Sequence, residues 1–164
     1  MTSKTNSGDF VLEVANLGKD VVTSFTKFIT SRKVQERHLE TILASVSITT
    51  SILLDLGTTI NQHEKHVNIA DEVTRPTCET CRVDFEKLLV LSKEASESGM
   101  WIREGTLGGK PVAAEIDPWF LFNIGLGGRE KAAEFWKRME ATRYNLVTIS
   151  DTLKYKIFKE LKDQ

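Results

Sequence analysis

Between about Val34 and Ala70 the apolar positions recur three and four residues apart: Leu39, Ile42, Val46, Thr49, Leu53, Leu56, Ile60, His63, Val67 and Ala70. Unbroken alternation of threes and fours keeps one stripe on one helix face over many turns. A helix of that span is roughly 50 Å long. It cannot bury its stripe alone, so the rest of the chain must supply helices to cover it. Ile48, Ile52 and Leu54 widen the apolar face. That width predicts several covering neighbours rather than one.

The rest of the chain supplies such helices. Residues 1–9 are small and polar and read as a disordered tail, with the domain spanning 10–164. Ser7 or Asp9 suits the cap of a first helix, because a short side-chain oxygen accepts from the unpaired amides of the first turn. Its row is Phe10, Val14, Leu17, Val21, Phe25 and Phe28, ending near Ser31. Gly18 and the hydroxyl residues around Thr23 lower its propensity. Pro76 disfavours helix at Arg75, which places a connection at 74–77. A third helix follows from about Thr77 to Ser98, on Cys78, Cys81, Phe85, Leu88, Ser92 and Ala95. The last helix runs from about Arg129 to Leu161, on Ala132, Phe135, Met139, Thr142, Leu146, Ile149, Leu153, Ile157 and Leu161, with Trp136, Val147 and Phe158 flanking the row.

Between the third and last helices the composition changes. Seven of the ten glycines fall within residues 99–128, with Pro111, Pro118 and the aromatics Trp101, Trp119, Phe120 and Phe122. Glycine and proline interrupt long helices, while the aromatics call for burial. The segment reads as a long connection folded back on the bundle, with room for a small hairpin and a short helix after Asp117-Pro118. The fold class is therefore all-α: an up-down four-to-five-helix bundle with a Gly/Pro/aromatic-rich connection before the last helix.

Charge and cysteine content exclude several function classes. A net charge of -1 over 164 residues gives no electrostatic case for nucleic acid. No apolar run approaches the roughly 18 residues that span a bilayer. The first nine residues lack the apolar core of a signal peptide. Two cysteines do not make a disulfide scaffold, and the expected compartment is the cytoplasm.

Four residues have metal-ligand chemistry at suggestive spacing: His63 and His66, then Cys78 and Cys81. Zinc takes nitrogen and sulfur ligands tetrahedrally, and residues three apart share a helix face. Three of the four also lie on the apolar rows, where cysteine is a small buried hydrophobe. Packed thiols without a cofactor are the favoured reading, and zinc is the alternative. Gly105-Thr-Leu-Gly-Gly-Lys110 departs from a phosphate loop, with Glu104 at the first glycine and Pro111 after the lysine. Gly125, Gly127 and Gly128 read as turn residues. No inward-facing Glu-x-x-His pair suggests a di-iron centre. No catalytic site emerges, and the chain reads as non-enzymatic.

Three stretches carry a resemblance: Leu39-Glu-Thr-Ile-Leu43 through Ser51-Ile-Leu-Leu-Asp-Leu-Gly57, Cys81-Arg-Val-Asp-Phe-Glu-Lys-Leu-Leu89, and Phe135-Trp-Lys-Arg-Met139 through Asn145-Leu-Val-Thr-Ile149. Over residues 10–160 the chain resembles the helical N-terminal domains of fungal STAND (NLR-like) proteins, in the HeLo-like group. The resemblance implies a signalling or membrane-active module. The expected function is a self-associating or partner-binding helical module, with Trp119, Phe120 and Phe122 as its candidate contact residues, at least one of the three covering the bundle and another meeting the partner. In the membrane-active alternative the first helix detaches and inserts Phe10, Val14, Leu17, Phe25 and Phe28. The favoured reading keeps that helix docked, as the least stable of the four long ones.

Overall fold

The computed structural model describes residues 6–32, 37–63, 71–97, 102–107, 110–115 and 118–163. Helix α1 spans Ser7–Arg32, α2 Arg37–His63 and α3 Asp71–Glu97. Strands β1 (Ile102–Leu107) and β2 (Lys110–Glu115) form an antiparallel hairpin. Helix α4 covers Pro118–Gly125 and α5 covers Arg129–Lys162. The molecule is an all-α bundle of four long helices, with the hairpin and short α4 in the connection. Val67 and Ala70, and residues 1–5 of the expected tail, lie outside the described residues.

Helices α1 and α5 each pack against both α2 and α3, which puts α1 and α5 on one diagonal of the bundle. Paired residues fix the directions. Asp9 meets Asn61 across α1/α2, so these run antiparallel. Arg75 lies over the Phe10 ring and Ser92 meets Ser24, so α1 and α3 run parallel. Asp55 meets Lys154 and Asp84 meets Arg138, so α5 descends beside α2 and against α3. Directions alternate along the chain, as an up-down bundle requires. The stripe of α2 is buried at Leu39, Ile42, Val46, Thr49, Leu53, Leu56 and Ile60, as its spacing demands. Hydroxyls on this helix donate back to its own carbonyls, Thr49 to Ser45 at 2.9 Å and Thr59 to Asp55 at 2.7 Å. That bonding is how a Ser/Thr-rich helix can pack tightly.

Several boundaries differ from the sequence reading. Asn6 caps α1, in place of Ser7 or Asp9: its side-chain oxygen accepts from Gly8 N–H at 2.7 Å. The helix therefore begins at Ser7, inside the stretch expected to be a tail. Pro76 lies within α3 rather than in a connection. Near a helix start, proline costs one early backbone bond. Burial of Thr74, Cys78, Cys81 and Phe85 on one continuous row carries the helix through it. Ser150 takes the buried place expected of half-buried Ile149, and Leu161 is exposed. Helix α2 is also long and apolar enough to cross a bilayer by length and composition. Asp55 is its one charged residue between Ile42 and Ile60. In the bundle its row is packed on α1 and α5, as in any core helix.

The glycines have two structural uses. Gly127, with φ of 106°, ends α4: Gly127 N–H donates to Ile124 O and Gly128 N–H to Asn123 O, both at 2.9 Å. This is the paired bonding that reverses a chain after a helix, and it needs a residue free to take positive φ. In α1, a Cβ on Gly18 would stand 2.2 Å from Thr50 Oγ1 and 2.8 Å from Phe85 Cε2. The residue that lowers helix propensity is the one that lets α2 and α3 approach. Far from being loosely held, α1 buries Val11, Val14, Ala15, Val21, Phe25 and Phe28 almost completely.

Candidate functional site

A groove of about 540 Å³ lies between the N-terminal half of α2 and the first half of α5. These two helices run parallel, side by side. Small residues on α2, Ala44 and Ser45, open the space between them. Ile42, Ile48, Trp136 and Met139 give it apolar walls, and His38, Glu140 and Arg143 give it a polar rim. Trp136 is set by its neighbour Phe135, whose buried ring meets it edge-on at 4.9 Å between centroids. Phe135 in turn lies under the Arg138 guanidinium at 5.3 Å. Arg138 donates to buried Asp84 of α3 at 2.7 Å, which ties the wall of the groove to the core.

Apolar walls with a polar rim are the lining that suits an apolar surface bearing polar groups at its edges. The resolved electrostatic shifts lie outside the groove, on α3 and at Arg138. Burial pushes the Cys78 thiol up to about 12 and the Cys81 thiol higher still. Hydrogen bonds from Arg82 hold the Glu79 carboxyl below its ordinary value, and the same pairing raises Arg82. Each shift favours the form the group already holds at neutral pH, so none of them prepares a proton carrier.

The sequence-predicted site residues fall in three places. Cys78 and Cys81 are buried in the core, and their raised thiols oppose the thiolate that zinc requires. His63 is half-exposed at the end of α2, and His66 lies outside the described residues. Among the described residues, no three of His, Cys, Asp and Glu gather closely enough to hold a metal ion. The proposed insertion face of α1 is occupied: Val14, Phe25 and Phe28 are buried, and Phe10 and Leu17 pack half-buried against the core.

Phe122 does not belong to an exposed contact surface. It is 2 % exposed and wedged against Phe25 and Phe28, with centroids 5.2 and 6.4 Å away. It closes the end of the bundle where α1 finishes, because α4 lays this ring over that gap. The side chains of Trp119 and Phe120 lie outside the described residues.

Sequence reasoning missed the groove. Its signal was Ile48 and Trp136, apolar residues flanking their rows, which the spacing assigned to covered helix faces. The structure leaves Ile48 51 % exposed. A second missed feature is the outer side of α5, where Tyr144, Val147, Tyr155, Phe158 and Leu161 are all exposed. No protein-family model matches the chain, and neither curated proteins nor solved structures yield a match.

Proposed function

We propose that this protein is a non-catalytic helical interaction module of the cytoplasm, binding a protein partner or itself. The observation that carries the reading is the α2/α5 groove, whose apolar walls stand open to solvent beside exposed Ile48. Exposed apolar patches rimmed by polar groups mark protein-binding surfaces. The resemblance to HeLo-like N-terminal domains of fungal STAND proteins supports a role in signalling. The docked, buried face of α1 supports a soluble partner over a membrane as the first target.

The test is a photo-crosslinking residue placed at Ile48 of the full chain, in cells that naturally make the protein. Discrete protein adducts are expected there, and none from the same probe at Lys19, which is exposed on α1, diagonal to α5. Equal labelling from both positions, or none from either, overturns the reading.

A further inference from the structure

The flank of α5 that continues from the groove has a self-matching order. Its row runs Trp136, Glu140, Arg143, Val147, Asp151, Lys154 and Phe158, with Trp136 and Arg143 half-buried and the other five exposed. The steps between them are four, three, four, four, three and four, so the row has the same spacing in either direction from Val147. Two successive eleven-residue units of this kind keep a stripe nearly straight along a helix. The row is about 33 Å long.

The chemistry reverses along with the spacing. Laid antiparallel on a second copy, with Val147 opposite Val147, the row sets Arg143 against Asp151 and Glu140 against Lys154. Trp136 falls opposite Phe158. Every charge meets its opposite, and the two aromatics meet each other. We propose that this face is an isologous dimer interface, with a second copy of the chain as its occupant. The proposal rests on the interaction-module reading and names the partner.

Exposure along the row agrees with that occupant. Phe158 is 66 % exposed and Val147 39 %, with Tyr144 and Tyr155 flanking them in the open. Such exposed aromatics are characteristic of interface anchors. Trp136, Glu140 and Arg143 also line the α2/α5 groove, so the second copy's Phe158 arrives at the groove's mouth. Glu140, Arg143 and Asp151 make no ion pair among the described residues, which leaves them available across the interface. Lys154 pairs with Asp55 at 2.5 Å, and its side chain is still 51 % exposed, open to a second carboxylate. A two-fold axis makes each such pair occur twice, so a single charge change is felt at two places.

The register is tested by charge exchange, read by sedimentation velocity from 5 to 500 µM with circular dichroism as the check on folding. The wild-type chain is expected to dimerise within that range. Arg143→Asp faces Asp151 twice, and Asp151→Arg faces Arg143 twice, so each variant alone should lose at least tenfold in dimer affinity. Their equimolar mixture should form a heterodimer, since each mismatched site then meets its opposite. The double variant, with the pair exchanged, should return to within about threefold of wild type. A wild-type chain monomeric to 500 µM overturns the proposal, and so does a dimer indifferent to these variants or a mixture that stays monomeric. A monomer that still forms discrete adducts from position 48 with another protein would sink the dimer and leave the interaction-module reading standing.

Discussion

Arg138 on α5 reaches across to α3 and donates to both carboxylate oxygens of Asp84, at 2.7 Å to Oδ1 and 3.3 Å to Oδ2. The two residues differ in surroundings: the Asp84 side chain is 4 % exposed, the Arg138 side chain 49 %. A buried carboxylate is costly unless paired, and here the pairing group comes from the solvent side. Arg138→Ala should therefore destabilise more than a surface ion pair is worth. The expected loss is about 1–3 kcal/mol, below the range for a fully buried pair because water can reach the guanidinium's side. Asp84→Asn, which removes the buried charge and keeps the shape, should cost less than Arg138→Ala. Urea melts of the two variants measure the order, and the opposite order would show that the buried Asp84 carboxylate does not depend on Arg138 for its pairing.

The contact of Gly18 with Thr50 and Phe85 makes a second prediction. In an isolated helix Gly18→Ala would stabilise by about 1 kcal/mol through propensity. In this bundle the new methyl would stand 2.2 Å from Thr50 Oγ1 and 2.8 Å from Phe85 Cε2, so the helices must part or the ring must turn. Overpacking of that kind costs about 1–3 kcal/mol. The variant should melt earlier than wild type, and adding Thr50→Ala should recover part of the loss. A Gly18→Ala protein more stable than wild type would mean that α1 and α2 are not in contact at this level.

These two sites show what the amino-acid order reveals and what it hides. Leu39 through Ile60 announce their burial by spacing alone, because any face repeating every 3.6 residues must be covered. The four apolar rows were legible for that reason, and so were Pro118 at the start of α4 and Gly127 at its end. Pro76 misled because a local preference yielded to tertiary packing of Thr74 and Cys78 on the same row. The use of Gly18 is invisible locally, since its reason is a side chain on another helix. The groove was hidden likewise. Ile48 and Trp136 read as covered until the order of helices around the bundle shows that nothing described covers Ile48. That one aromatic of the connection covers the bundle was legible, but not that Phe122 does so, since its place depends on how α4 meets Phe25 and Phe28.

Cys78 and Cys81 should resist thiol reagents in the native state. Reaction requires the thiolate, and burial raises the Cys78 thiol from its ordinary 9.0 to about 12. An acid whose pKa is raised on folding contributes stability that is fully present below the unfolded pKa. That contribution is lost as pH climbs through the folded one. Stability should therefore fall between about pH 9 and 12, and the fall should be shallower in Cys78→Ala than in wild type. Modification by iodoacetamide at pH 8 should proceed only as fast as the protein unfolds. Rapid modification of the native protein would place the thiols at the surface and reopen their use as metal ligands.

The order in which the helices open follows from how each is held. Residues 11–28 of α1 carry a row buried to 0–1 % at Val11, Val14, Val21, Phe25 and Phe28, pressed between α2 and α3. A Cβ on Gly57 would lie only 3.1 Å from the Gly8 carbonyl, so α1 and α2 touch through their backbones at the far end as well. Low local stability needs few buried contacts, and α1 lacks that condition. The end of α5 meets it. Ile157 is its last buried residue, and Phe158 and Leu161 are exposed. In hydrogen exchange, amides of 158–162 should exchange first, while those of 11–28 should be as slow as those of 42–60. The measurement is best made at low concentration, since a second copy over α5 would slow its end without touching α1. An α1 that opens well before α2 would contradict the packing and restore a detachable first helix, with Phe25 and Phe28 freed to meet a membrane or partner.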